Sequence, residues 1–289
     1  MSTDNSILLN RVFTRNTLRE IVERSYSDVF ATAIRRYVVD SSGKDNKQLL
    51  SELYTVLKKE YRNEYYYKNT ILNKLLLGVH KPTTTTALTE ISIGKSKADF
   101  VLINGRAVVY EIKTELDNLD RLDTQISNYF NAFTRVSVLA SEEYVDTLEK
   151  RLGNSPVGIC ILTKRGNISE KKEPQEYTDK LNKDTMFRIL RKSEYEEIII
   201  KHFGMLPDVS QFEYYRVCKR LFCEIKTDEV YTDFISILKK RVKIDIEPYK
   251  KIPYELKFLV YFSDFKSDEY KKLQLFLEQK EVIPCTSLF

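Results

Sequence analysis

At 289 residues, with 42% hydrophobic and 31% charged side chains and no low-complexity tract, the chain can bury a substantial core, and one main domain with attachments is expected. Lysine and arginine outnumber aspartate and glutamate 47 to 42; the resulting formal charge of +5 is compatible with nucleic acid but too mild to argue for it. No apolar run approaches the length of a membrane span, and MSTDNSILLNR lacks a basic start followed by an apolar stretch, so neither a membrane protein nor a secreted one is expected.

In chain order, residues about 12 to 40 read as helical, from the recurrence of Leu18, Ile21, Val22, Val29, Phe30, Ala33, Ile34 and Tyr37. Ser41 to Asn46 is a break. A longer helical pattern runs from about Lys47 to Leu77 and contains Tyr65, Tyr66 and Tyr67, which suit a core edge better than a base-stacking platform. Gly78 to Thr86, with Pro82 and a threonine run, is a loop, and Ala87 to Ile93 is a strand. Gly94-Lys95-Ser96 has the ending of a phosphate-binding loop. The glycine that such a loop needs five positions earlier is Thr89, so a nucleoside-triphosphate site is rejected.

Residues 97–113, KADFVLINGRAVVYEIK, form the stretch around which the chain is organised. Two apolar runs flank Asn104-Gly105, a strong hairpin signal. Each run carries an acid where a core strand should be apolar, Asp99 in the first and Glu111 in the second. Lys113, two residues on, shares a face with Glu111 because strand side chains alternate. A strict two-residue turn would set Asp99 opposite Tyr110 and separate the acids. A three-residue loop, Asn104-Gly105-Arg106, sets Asp99 opposite Glu111, with Cβ atoms about 4.5–5.5 Å apart. Two bare carboxylates that close repel by about 4 kcal/mol at an effective dielectric near 20, so a cation between them is expected. The bland alternative is a surface salt bridge on a half-exposed sheet.

A helix follows, with Leu116, Leu119, Leu122, Ile126, Tyr129, Phe130 and Phe133 on one face and Asp117 as its expected N-cap. Arg135 to Ala140 is a strand, Ser141 caps a helix to about Leu152, and Val157 to Thr163 is a buried strand. Strand, crossover helix and strand imply parallel pairing in this part of the sheet. The polar stretch from Gly166 to Lys180 reads as a boundary. Helices are expected over about Lys180–His202, Ser210–Ile225, Val230–Val242, Tyr254–Phe262 and Asp268–Leu277. Asp208 and Glu224-Ile225-Lys226 repeat the letters of the favoured site, but a helix over 210–225 would hold the two acids about 24 Å apart. Cys160, Cys218, Cys223 and Cys285 form no CxxC pair and read as reduced thiols of a cytoplasmic protein. His80 and His202, the only histidines, lie at no ligand spacing from them, which argues against zinc.

GKSKAD, then YEIK, then Gln125-Ile126-Ser127-Asn128-Tyr129, within a helix, three-strand meander, helix, strand order, resembles the PD-(D/E)XK nuclease superfamily. The Gln-x-x-x-Tyr pair is similar to its RecB-type branch. The wider string from NEYYYKNTILNKLL to DTQISNY looks like a bacterial and phage-borne family within it. The resemblance covers roughly residues 45 to 165, and Ala98 stands where a proline usually precedes the first aspartate. It implies an α/β, restriction-endonuclease-like αβββαβ core with a central mixed sheet over 45–175. A helical segment (1–44) would precede that core and a mainly helical domain (176–289) would follow it.

By position, the resemblance implies that Asp99 and Glu111, with the carbonyl of Ile112, ligate Mg2+ or Mn2+, with Glu64 or Glu90 as a further acid. Lys113 would orient water or stabilise phosphate charge, and Gln125 and Tyr129 would face the site. Lys95, Lys97 and Arg106 would hold the phosphate backbone of nucleic acid, DNA rather than RNA. The implied function is metal-dependent phosphodiester hydrolysis in defence, restriction or repair. A homodimer would serve double-strand cutting. The alternative is a non-cleaving nucleic-acid-binding or protein-interaction module on a nuclease-derived fold.

Overall fold

Helix breaks fall where capping side chains or left-handed residues interrupt the apolar periodicity. The computed structural model describes residues 3–79 and 84–280, so His80, Pro82 and Cys285 lie outside the described residues. The expected helix over 12–40 is two helices, α2 (Arg15–Arg24) and α3 (Asp28–Tyr37), and a further helix, α1 (Thr3–Val12), precedes them. Thr14 caps α2 through its side chain, and Ser25, at φ +53°, ends it. The pattern over 47–77 is likewise divided. In α4 (Asn46–Glu60), Asp45 and Gln48 form a capping box; α5 (Glu64–Ile71) is capped by Asn63 and runs into a π-helical segment, Leu72–Val79. Tyr65, Tyr66 and Tyr67 are buried, and Tyr65 stacks on Phe13 with ring centroids 5.1 Å apart, so this cluster is core.

Next come β1 (Thr86–Ile93), β2 (Ser96–Asn104), β3 (Arg106–Lys113), α6 (Leu122–Tyr129), β4 (Val136–Ser141), α7 (Val145–Leu152), β5 (Gly158–Leu162) and β6 (Ile168–Lys172). Helices α8 (Lys183–Ile189), α9 (Lys192–Phe203), α10 (Gln211–Glu224), α11 (Thr227–Lys239), α12 (Ile246–Lys251), α13 (Lys257–Tyr261) and α14 (Ser267–Glu278) complete the described chain. Helix α10 crosses 211–224 unbroken, so the repeated acid letters at Asp208 and Glu224 make no hairpin.

The fold is mixed α/β. Its six-stranded sheet has the order β1-β2-β3-β4-β5-β6, antiparallel from β1 to β3, parallel from β3 to β5, and antiparallel again at β6. The helical crossovers α6 and α7 make the parallel half possible. Strand β6 lies within the polar stretch that reads as a boundary in the sequence, and adds a strand that was not expected there. Its sequence ISEKK is half-buried to exposed and largely charged because it is an edge, where lysines are common, and so it carries no apolar alternation. The expected N-cap Asp117 does not start α6. Its Oδ2 accepts from Thr114 N (2.9 Å) and Thr114 Oγ1 (2.8 Å), which folds residues 114–117 into a turn.

Two compact units divide the chain, Met1–Asn73 with Lys243–Phe289, and Lys74–Val242. The expected boundaries at 44 and 175 do not coincide with them, and packing supplies the reason. In the first unit, Asn46 N donates to Gln279 O (2.9 Å), Asn46 Nδ2 donates to Phe276 O (2.9 Å), and Phe30 meets Phe276 edge-on. In the second, Met186, Phe187, Cys218, Phe222, Val230 and Phe234 join the core under the sheet, with Phe133 and Phe234 rings 5.6 Å apart. Helices α8 to α11 are therefore part of the sheet's own core. Phe187, 1% exposed and in ring contact with Tyr195, Tyr215 and Phe222, sits at their centre. Phe187→Ala should lower unfolding stability by about 3–5 kcal/mol in urea titration, whereas a helical domain separate from the sheet would leave the sheet's own transition unchanged.

Candidate active site

The β2–β3 hairpin has the register of the three-residue loop. Ile103 faces Ala107, Val101 faces Val109, and Gly105 turns the chain at φ +69°. Continued beyond the last rung, Phe100–Tyr110, that register sets Asp99 against Glu111. The Asp99 carboxylate is engaged at this point, Oδ2 accepting from the backbone N of Ile112 at 2.8 Å. Asp99 is half-buried, while Glu111 and Lys113 are 1% and 7% exposed.

A buried carboxylate must be paired, and Glu111 has three partners. Lys113 Nζ lies 3.0 Å from its Oε1. Gln125 of α6 donates its amide N–H to the same oxygen, and Tyr129 OH donates to Oε2 at 2.5 Å. Gln125 Oε1 in turn accepts from Lys113 Nζ at 3.0 Å. Lysine has only donors and a carboxylate only acceptors, so the orientation of the Gln125 amide is fixed by its neighbours. The Tyr129 hydroxyl also lies 2.9 Å from the carbonyl of Lys97. Burial, then the charge and hydrogen bond of Glu111, and then Asp99 raise the pKa of this phenol well above the ordinary tyrosine value, so both acids act on one hydroxyl.

Of the other expected residues, Lys95 and Lys97 are exposed in and beside the β1–β2 turn, at the Asp99 end of the ribbon, and Lys97 pairs with Glu90. Arg106 lies at the opposite hairpin tip, five residues or about 17 Å of strand from Glu111, and so does not join this cluster. Glu64 belongs to the first compact unit, where it pairs with Lys68 at 2.6 Å. Among the described residues no group of three or more His, Cys, Asp or Glu forms a metal cluster. The acids at hand are Asp99 and Glu111, with Glu90 across β1.

Asn128 was not anticipated. Its Nδ2 donates to Ser96 Oγ at 2.7 Å, and a Cβ on Gly94 (φ +60°) would come within 3.3 Å of its Oδ1, so it docks the β1–β2 turn onto α6. Residues 125, 128 and 129 share one helix face, a spacing visible in the sequence.

These elements define a mixed α/β protein with an acid–amide–lysine–tyrosine cluster at the carboxyl end of β3, under the helix that leads to the next parallel strand. The chain belongs to the bacteriophage P4 protein cII family, whose sequence profile matches residues 57–251, more than half of the chain. Protein cII of Enterobacteria phage P4 is 28% identical over 105 residues, which span 36% of this chain and 39% of that protein. The match thus covers well under two thirds of that relative. The SPO1766 protein of unknown function from Silicibacter pomeroyi aligns over 46% of this chain and 88% of its own, at 13% identity and a TM-score of 0.28, too loose an overlap to inform the fold.

Removing Lys113 strands a buried carboxylate. Lys113→Met should cost about 3–5 kcal/mol by chemical denaturation, and adding Glu111→Gln should restore part of it, because the unpaired charge is then gone. The raised Tyr129 pKa has a defined pH consequence. Its neutral form contributes stability that is complete below the unfolded value near pH 10 and is lost as pH rises toward the folded value. The difference in 295 nm absorbance between wild type and Tyr129→Phe should therefore show no phenolate growth through about pH 11 in native protein.

Proposed function

We propose that the protein is a divalent-metal-dependent nuclease that hydrolyses phosphodiester bonds, DNA rather than RNA. The observation that supports this most is the pair Asp99 and Glu111 brought to one place on the ribbon with the Lys113 ammonium beside them. The chain order β1–β2–β3, α6, β4 is the order of a restriction-endonuclease-like core, and we assign it to that class.

The donor set fits magnesium or manganese. It is all oxygen, and two carboxylates without a third suit Mg2+, which keeps several waters and is held by one or two acids plus substrate phosphate. Glu111 offers about four lone-pair directions and has three in use, so one remains for a ligand. Asp99, Glu111 and the carbonyl of Ile112 would hold the ion. When bound, it would make water more acidic and offset negative charge on the phosphate.

The chain's own groups do the rest. Two of the three Lys113 N–H donors engage Glu111 and Gln125, and the third is left for a phosphate oxygen or the attacking water. Gln125 and Tyr129 hold Glu111 in one rotamer. Lys95 and Lys97, at the same end of the ribbon, supply cations for the phosphate backbone, whereas Arg106 is too far along it to act with them. One such centre per chain cuts one strand, so double-strand cleavage would take two chains. No described helix is long and apolar enough to cross a membrane. Buried, unpaired Cys160 and Cys218 accord with work in a reducing, cytoplasmic setting.

Purified protein should nick supercoiled plasmid or single-stranded DNA with Mg2+ or Mn2+ and not with EDTA. Asp99→Asn and Lys113→Ala should each lower the rate by about 100-fold or more. Equal, metal-independent behaviour of all three proteins on DNA and RNA would end the nuclease reading in favour of a non-cleaving binding module.

A further inference from the structure

Strands β1 and β2 keep one register along their whole length, yet the face they bury changes part way along. Leu88 pairs with Val101, and both belong to the core beneath α6, as does Ile103. Further along, Ile91 pairs with Ala98 and Ile93 with Ser96. Ile93 and Ala98 belong to that same core, Ile91 packs on it, and Ser96 meets Asn128 of α6. Side chains alternate along a regular strand, so Leu88 and Ile91, three apart, cannot face one side of it, and neither can Ala98 and Val101. Both strands slip phase by one residue at the same rung, that of Glu90 and Asp99.

The backbone of Glu90 carries the slip. Its φ of +59° lies in the left-handed region, which a residue with a side chain occupies at a cost and which tends to be retained at functional sites. The hydrogen bonds around this rung are rearranged to match. The ladder runs to Thr89–Phe100 and resumes at Ile91–Ala98, Thr89 Oγ1 donates to the carbonyl of Asp99 at 2.7 Å, and the Asp99 carboxylate turns across to Ile112 N on β3. An unbroken β2 would aim Lys97 and Asp99 alike at the α6 face. With the slip, Lys97 is exposed and ion-paired with Glu90, and Asp99 is held at the switch, beside the residue that follows Glu111.

We propose that Glu90 is a positioning residue for Asp99. Its left-handed backbone, braced by the ion pair to Lys97, rotates the rung so that the Asp99 carboxylate turns from the α6 face and reaches across to the Ile112 N–H, beside Glu111. The role in catalysis rests on the nuclease reading above; the role in placing Asp99 does not.

The test compares the full-length variants Glu90→Gly, which enters the left-handed region freely, and Glu90→Val, whose branched side chain resists it. Glu90→Ala replaces the valine variant should that one fail to fold. In metal-free protein, amide exchange at Ile112 should stay within 3-fold of wild type for Glu90→Gly and quicken about 10-fold or more for Glu90→Val, as expected when a hydrogen bond opens locally. The Mn2+ concentration that half-saturates nicking should follow the same order. Ile112 protection unchanged in Glu90→Val would overturn the proposal. So would a Glu90→Gly variant as impaired as Glu90→Val, since the carboxylate rather than the backbone would then be acting. A wild type that neither nicks nor binds Mn2+ sinks the nuclease reading alone, because the Ile112 comparison still decides whether Glu90 places Asp99.

Discussion

The buried carboxylate of Glu111 is the constraint on which the sheet unit depends. A charge with 1% exposure is tolerable only when it is paired and hydrogen-bonded, and the three groups that engage it come from two elements, Lys113 from β3 and Gln125 and Tyr129 from α6. Their geometry fixes the rotation and height of α6 over β3. The same helix reaches back to the start of β2 through Tyr129 to the Lys97 carbonyl and Asn128 to Ser96. One acid thus sets the relation among a hairpin, a turn and a crossover helix. Well-packed apolar residues could stabilise such a junction at least as well, so its charged form calls for a reason other than stability.

Much of this was legible in the sequence because it is local. Asn-Gly marks the hairpin and leaves two registers to choose between, the i, i+2 spacing puts Lys113 beside Glu111, and the i, i+4 spacing puts Gln125 and Tyr129 on one helix face. The parallel half of the sheet follows from strands separated by helix-length connections. What escaped was non-local. Nothing within α8 to α11 says that Phe187 and Phe234 complete the core of a sheet that ends at residue 172, or that α14 returns to Asn46. The phase slip lies between these cases. The spacings Leu88 to Ile91 and Ala98 to Val101 are both written in the chain, but each reads as an irregular strand until the two are laid side by side.

The family match runs from α4 into α12 and so includes the whole sheet unit. It places the acid–amide–lysine–tyrosine cluster inside the region by which the family is defined. The chemistry proposed for that cluster rests on the sequence resemblance and on its geometry, and not on the phage relative, which is matched over only 39% of its length.

Both outer strands of the sheet are poor templates for another strand. Strand β1 is turned left-handed in mid-course at Glu90. Strand β6 carries Glu170, Lys171 and Lys172, and the Lys172 amine folds back onto the carbonyls of Leu152 and Gly153. Among the described residues, these two edges offer a second copy of the chain, or an extended peptide, no long flat run on which to dock. The irregularity that sets the aspartate in place therefore also guards the molecule against stacking edge to edge into fibres.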